Sequence, residues 1–271
     1  MKTNIKMMMI PALALALAAP VKAGAKVVLE GSTTVLPIAQ KAAEVFMQEH
    51  KDADISVRGG GSGVGIASIL DGACDIADAS RAIQPKEIEK AKAAGKDIRP
   101  TVVAMDGIAA VVNPSNKVNG LTREQLRKIY TSRAKNWKEF GGPDLRIVVV
   151  SRDTSSGTFE AFSELVLEKR KVRPDAIMQA SNQAVAGIVA RTPGAIGYVG
   201  LGYLGSSVKA LAVDGVKPSV ETVLKRKYPV SRPLYMYTNG APAGAVKDFL
   251  DFVKSKAGQK IVGEEGFVAL P

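Results

Sequence analysis

Cysteine and histidine each occur once in the 271 residues. The lone thiol, Cys74, cannot form an internal disulfide and cannot supply a thiolate metal cluster. The lone imidazole, His50, sits in the polar stretch Gln48-Glu49-His50-Lys51-Asp52, the look of a solvated helix end, so Ser-His-Asp and Cys-His catalysis lack their base. Aromatic residues make up only 5% of the chain, and the lysines are scattered rather than clustered with them, which argues against nucleic acid as a partner. No apolar run after the first two dozen residues approaches the roughly 20 needed to span a bilayer.

What is present begins with Lys2 and Lys6, an apolar core from Met7 to Ala19, and Pro20-Val21-Lys22-Ala23. This order of charged, apolar and small residues is that of a secretory signal peptide cleaved after Ala23, and predicts a secreted mature protein. About 248 residues would remain, enough for one large domain or two lobes of ordinary size. Gly and Ala are plentiful, as in a soluble α/β protein. The formal charge of +11 falls to about +8 with the leader removed, which suits an anionic ligand or surface.

The stretch Ser151-Arg152-Asp153-Thr154-Ser155-Ser156-Gly157-Thr158 follows the apolar run Ile147–Val150 and precedes a helical pattern over 159–168. Strand, polar turn and helix gather unpaired amides and small hydroxyls at a helix N-terminus beside an arginine, which makes an oxyanion receptor. Arg152 brings a planar fork of donors, Ser155, Ser156 and Thr158 bring hydroxyls, and Gly157 permits close backbone approach. Ordinary helix capping by the same Ser and Thr residues is the alternative reading.

Similar turns recur upstream. Val27–Glu30 reads as a strand before Gly31-Ser32-Thr33-Thr34, with a helix over 38–49. Ile55–Val57 precedes Gly59-Gly60-Gly61-Ser62-Gly63-Val64-Gly65, whose G-x-G-x-G spacing lacks the third glycine of a dinucleotide fingerprint and fits a backbone nest for an anion. Asp75–Arg81 ends a third strand in Ser80-Arg81, and Pro85 opens a helix through Gly95. In an open α/β sheet these turns converge at the carboxyl ends of the strands. Val102–Met105 and Ile108–Val112 form either a strand pair or one crossing strand, and Asn113-Pro114 marks a lobe boundary. Thr122 with Gln125 predicts a capping box, and Trp137 a hydrophobic plug. Ser181-Asn182-Gln183 caps a helix to Ala190, Val208–Val213 is a strand, and Tyr228–Tyr237 is a return strand. A helix over 245–257 and a tail from Gly258 close the chain. The expected organisation is a discontinuous first lobe, 24–112 plus 225–271, and a second lobe, 113–224.

Gly31-Ser32-Thr33-Thr34, Gly61-Ser62-Gly63, Asp75–Arg81, Arg152–Thr158 and Pro193-Gly194-Ala195-Ile196-Gly197-Tyr198 together resemble the periplasmic phosphate-binding proteins of phosphate ABC importers. The resemblance covers nearly the whole mature chain in matching order. It implies a type II periplasmic-binding fold of two α/β lobes, phosphate in the interlobe cleft, and delivery to a membrane permease by a monomer without cofactor. Carried over by position, Ser32 and Thr33 match the first anion-binding turn, Ser62 the second, and Arg152, Ser156, Gly157 and Thr158 the turn of the other lobe. Some members carry an acidic residue near the end of the third strand to accept the proton of monohydrogen phosphate. Here Ser80, followed by Arg81, stands there, so Asp153 or Asp78 would take over or selectivity would be looser. The phosphate-binding set expected is therefore Ser32, Thr33, Ser62, Ser80, Arg81, Arg152, Asp153, Ser156, Gly157 and Thr158. Another tetrahedral oxyanion (sulfate, molybdate or tungstate) is the alternative ligand. A phosphatase would need a base for Ser156 or a metal cluster, and neither is visible.

Overall fold

The computed structural model describes residues 26–271; the expected signal peptide, 1–23, lies outside them. Among the described residues, eleven strands and nine α-helices mostly alternate. The first half runs β1 (Lys26–Gly31), α1 (Leu36–Glu49), β2 (Asp54–Gly59), α2 (Ser62–Asp71), β3 (Ile76–Ala79), α3 (Pro85–Ala93) and the long β4 (Ile98–Val112). Next come β5 (Gly120–Leu121), α4 (Arg123–Tyr130), β6 (Val148–Arg152), α5 (Gly157–Leu165), β7 (Ile177–Gln179), α6 (Asn182–Arg191) and β8 (Ala195–Gly200). The chain ends with β9 (Lys209–Ala210), β10 (Ala212–Val213), α7 (Val220–Leu224), β11 (Ser231–Asn239), α8 (Gly244–Lys254) and α9 (Lys256–Glu264).

The main sheet has the order β2-β1-β3-β11-β4-β8-β6-β7, with β9 paired to β4. β1, β2 and β3 are parallel, as are β6, β7 and β8. Between these parallel sets run β4 and β11, antiparallel to each other over nine register pairs, so both sets hang from one two-stranded crossing. Of the two readings of residues 102–112, the single crossing strand is the one adopted: Asp106-Gly107 continues β4 without a turn. Leu29, Ile38, Phe46, Leu234, Met236 and Phe249 lie in the core of the β1 side, while Trp137, Phe162, Tyr198 and Val149 lie in that of the β6 side. Parallel strands buried on both faces explain the near-continuous apolar runs.

Local chemistry places the ends. Thr122 accepts from the Gln125 amide at 3.1 Å while the Gln125 side chain accepts from the Thr122 amide at 2.8 Å, the reciprocal box expected. Trp137 is fully buried and donates its indole N–H to the Gly194 carbonyl at 2.9 Å. Two expectations differ. Val208–Val213 is two short strands, because the segment changes partner: Lys209 and Ala210 pair with β4, and Ala212 and Val213 with β5. The expected tail from Gly258 is helical as far as Glu264, most of α9, and only 265–271 follow it: Ser255 ends α8 and caps α9 by accepting from the Gly258 amide at 3.2 Å.

Gly65, in the first turn of α2, fixes how closely that helix approaches β1. A Cβ there would stand 2.3 Å from the Glu30 carbonyl oxygen and 2.8 Å from the Gly31 Cα, both rigid backbone. Gly65→Ala is expected to destabilise the protein by about 1–3 kcal/mol in chemical unfolding. An unchanged midpoint would show that α2 can withdraw without cost.

Candidate functional site

The turn after β6 is built around one arginine. Arg152 is 1% exposed, and two of its fork nitrogens are occupied by structure: Nε donates to the Gln179 carbonyl and Nη2 to the Ala180 carbonyl, each at 2.9 Å. Nη1 is buried and has no protein acceptor. Burial lowers the Arg152 pKa, opposed by the neighbouring Asp153 carboxylate. The Arg152 amide donates to the hydroxyl of buried Tyr198, whose ring stacks on Phe162 at 4.1 Å, so the strand end is clamped from behind. Asp153 accepts the Ser155 amide at 2.9 Å and hydroxyl at 2.5 Å through Oδ1, and its Oδ2 lies 3.8 Å from Arg152 Nη2. Ser156 is the N-cap of α5, accepting from the Phe159 amide at 3.2 Å. Capping and anion binding are compatible here, since the cap uses a lone pair and leaves the hydroxyl proton free.

On the other side, Ser32 accepts the Thr34 amide at 3.1 Å and Ser62 accepts the Ser80 amide at 3.0 Å, with the Ser62 and Ser80 hydroxyls 3.4 Å apart. The two sides meet directly. The Thr34 and Thr158 hydroxyls are 2.9 Å apart, and Asn182 Nδ2 donates to Thr33 at 3.1 Å and Thr34 at 3.0 Å. The Gly63 amide donates to the Ser155 carbonyl at 2.9 Å, and the Tyr203 hydroxyl donates to the Thr33 carbonyl. Gly157 abuts Ser62 and Ser80: a Cβ there would stand 2.3 Å and 2.8 Å from their hydroxyl oxygens. Of the expected set, Ser32, Thr33, Ser62, Ser80, Ser156, Gly157 and Thr158 are therefore gathered at one place, with Arg152 on the strand leading into it.

Arg81 points elsewhere. Its Nη1 and Nη2 bind Glu87 at 2.8 and 2.7 Å, and its Nε lies against Glu160 of α5. Gln84 also donates to Glu160, at 2.7 Å, so the guanidinium is engaged by carboxylates at the mouth of the junction. That mouth opens to a groove of about 670 Å³ lined by Arg81, Gln84, Phe159 and Glu160 among others.

A second guanidinium, absent from the expected set, lies at the centre. Arg232 of β11 faces Asp106 of β4 in register and binds its Oδ2 through Nε at 3.0 Å and Nη2 at 2.9 Å. Nη1 donates to the Ser80 carbonyl at 3.0 Å, and Nη2 reaches Thr34 at 3.2 Å and Thr158 at 3.0 Å. Asp106 is fully buried; burial raises its pKa and the Arg232 charge opposes this. The sequence did hold a signal, because Arg232 falls in the inward period of β11 with Leu234 and Met236, where a charge requires a partner.

Asp78, opposite Gly31 and Met236 in register, is 1% exposed and both its carboxyl oxygens lack a hydrogen-bond partner. Burial pushes its pKa well up, which favours the neutral acid. Among the described residues no group of three or more His, Cys, Asp or Glu side chains could hold a metal ion. The Cys74 thiol is buried, which pushes its pKa up to about 11.

One buried guanidinium, Arg232, reached by hydroxyls from both sides, and a second, Arg152, on the strand leading in with one nitrogen unpaired, make a receptor for a compact oxyanion. Comparison with known proteins agrees. Residues 18–257 match the PBP superfamily domain. Phosphate-binding protein PstS of Bacillus subtilis is 40% identical over 249 residues, spanning 91% of this chain and 81% of that protein. The chain belongs to the PstS family of phosphate-binding proteins. PstS of Borreliella burgdorferi is 34% identical, with 89% of this chain and 88% of that one covered. A Clostridium perfringens crystal structure with bound phosphate superposes with a TM-score of 0.85 at 35% identity, covering 91% of this chain and all of the other. An ABC-type phosphate transport receptor from Vibrio cholerae gives 0.74 at 34% identity, over 90% of this chain. The fold is the type II periplasmic-binding fold.

Two outcomes follow from this geometry. Gly157→Ala is expected to keep the fold but prevent the close approach of α5 to Ser62 and Ser80, weakening phosphate binding by at least about tenfold in a direct titration; undiminished affinity would show that the approach is not needed. For Asp78 the folded pKa lies above its ordinary 3.8, so its contribution is fully present below about pH 4 and is lost as pH rises toward the folded value. The difference in Tm between Asp78→Asn and the unmutated protein should therefore grow with pH above about 4. Parallel curves would mean that the carboxyl does not titrate differently on folding.

Proposed function

We propose that this protein captures inorganic phosphate between its two halves and delivers it to the permease of an ABC importer. The observation that carries the reading is the convergence of hydroxyls from both sides of the β4–β11 crossing on the buried Arg232 guanidinium, with Arg152 and its unpaired nitrogen on the strand leading in, in a chain whose relatives are phosphate-binding proteins. The lobes in this reading are 24–112 plus 225–271, and 113–224. The anion contacts are Ser32, Thr33, Ser62, Ser80, Arg152, Asp153, Ser156, Gly157 and Thr158. Arg152 Nη1 supplies the charged bond, since the rest of its fork is held by the Gln179 and Ala180 carbonyls. The amides of Gly157 and Thr158 open α5, where the helix dipole and free N–H groups favour negative charge. Arg81 serves the rim through Glu87 and Glu160 instead of the anion. The protein acts as a monomer in the periplasm, and no catalytic step is assigned to it.

Desolvating phosphate is costly, and donors on one lobe alone do not offset it. Closure supplies the remainder. Asp153 is the carboxylate for selectivity: its Oδ2 has no hydrogen-bond partner and stands beside Arg152, where it accepts the proton of monohydrogen phosphate and repels sulfate, which has none. Burial disfavours the charged form of Asp78, which makes it the weaker source of repulsion.

Arg152→Ala should lose about 10–100-fold in phosphate affinity, the equivalent of one charged hydrogen bond, with the fold retained. Small-angle scattering should show the molecule contracting when phosphate is added. Asp153→Asn should gain sulfate affinity relative to phosphate. Near-normal phosphate binding by Arg152→Ala, or a radius of gyration indifferent to phosphate, would contradict the site; parallel losses for both anions in Asp153→Asn would contradict the selectivity.

A further inference from the structure

The hydroxyls between the two halves have a direction. A threonine hydroxyl carries one proton and two lone pairs, whereas a guanidinium and an amide NH2 can only donate. The Asn182 amide is oriented by its own oxygen, which accepts the Gly200 amide at 3.2 Å, so its Nδ2 faces Thr33 and Thr34. Arg232 Nη2 has two protons: one goes to Asp106 Oδ2 and the other is shared between Thr34 Oγ1 at 3.2 Å and Thr158 Oγ1 at 3.0 Å, so Thr34 Oγ1 accepts this shared proton together with the Asn182 amide proton at 3.0 Å. Both its lone pairs are filled. Its proton goes to the partner in reach, Thr158 Oγ1 at 2.9 Å. Thr158 Oγ1 also accepts from Arg232 Nη2, at 3.0 Å, so its lone pairs are filled in turn and its proton must be donated outside the network. Thr33 Oγ1 likewise accepts from Asn182 and keeps its proton to give away.

We infer that Asn182 and Arg232 are positioning residues that convert the hydroxyls of Thr33, Thr34 and Thr158 into a one-way donor chain ending on the bound anion. The inference rests on the phosphate reading above and deepens it. Neither residue needs to touch the ligand. Asn182, at the N-terminus of α6, and Arg232, on the crossing strand, are both buried, and Arg232 is held by Asp106. Donors already turned toward the ligand need no reorientation when it arrives, which is the advantage of a preorganised site over water. A wall made only of donors also favours an oxyanion with all its lone pairs available, leaving any ligand proton to a carboxylate.

Asn182→Asp keeps the shape and the bond to the Gly200 amide but replaces the donor by an acceptor. Thr33 and Thr34 then donate to the new carboxylate, Thr158 donates back to Thr34, and none of these three hydroxyl protons is left for the anion. A double-mutant cycle with Thr158→Val, read by phosphate titration, separates this from a simple effect of added charge. In the wild type, Thr158→Val should weaken phosphate about 10–100-fold. In the Asn182→Asp background the same change should cost less than about threefold, because the Thr158 proton already points inward. Asn182→Leu, which removes the donor without adding charge, is the second background should the first fold poorly or bind too weakly to titrate. There the cost of Thr158→Val should also shrink, by at least about threefold. An equal cost of Thr158→Val in all backgrounds would overturn the donor chain while leaving the phosphate reading intact; failure of the wild type to bind phosphate would overturn that reading and the inference with it.

Discussion

The ion pair between Arg232 and Asp106 is the constraint on which the rest depends. It joins the two strands that both parallel sets share, and it is dry: the side chains are 4% and 0% exposed. Breaking such a pair by removing one partner leaves a buried charge and costs about 3–5 kcal/mol. The guanidinium exceeds the needs of its partner, and its remaining donors go to the Ser80 carbonyl on one side and Thr158 on the other. Asp106 in turn accepts the Leu201 amide at 2.9 Å, tying the end of β8 to the crossing. One buried pair thus sets the relative placement of the turns after β3, β6 and β8.

Anion chemistry then follows from electrostatics. Charge that cannot be screened by water has to be met by donors, and the sequence supplies them as small hydroxyls, helix N-termini and guanidiniums instead of lysines. Lysine would place a mobile, strongly hydrated point charge, whereas the arginine fork can be fixed by carbonyls on two of its nitrogens and still present a third. Arg152 is arranged in that way. At the rim, Glu160 of α5 reaches Arg81 and Gln84, so the acidic groups near the opening are engaged and do not face the anion.

Much of this was legible from the sequence where the parts are contiguous. Ser151 to Thr158 holds strand end, arginine, hydroxyls, glycine and helix start in eight consecutive residues, and the periodicity around it identifies each. Asp106 and Arg232 were not legible as a site, because they lie 126 residues apart and only strand register brings them together. Asn182 read as ordinary capping sequence; its side chain is committed to Thr33 and Thr34, some 150 residues earlier, which no local pattern encodes. The missed α9 has a similar cause. Gly258 lets the chain fold back against α8 so tightly that a Cβ would come within 2.3 Å of the Phe252 and Val253 carbonyls. As a residue in sequence, that glycine reads simply as a helix breaker. Arg81 was visible but ambiguous, since a charge after a strand suits an anion and a carboxylate equally; the structure gives it carboxylates.

The most direct test of the central claim, that the junction of the two halves holds phosphate, is isothermal titration of phosphate, sulfate and molybdate into the protein produced from residue 24 onward. The account predicts saturable binding of one phosphate per chain, with the other two anions weaker by at least about tenfold. Absence of phosphate binding, or sulfate bound as tightly as phosphate, would contradict it.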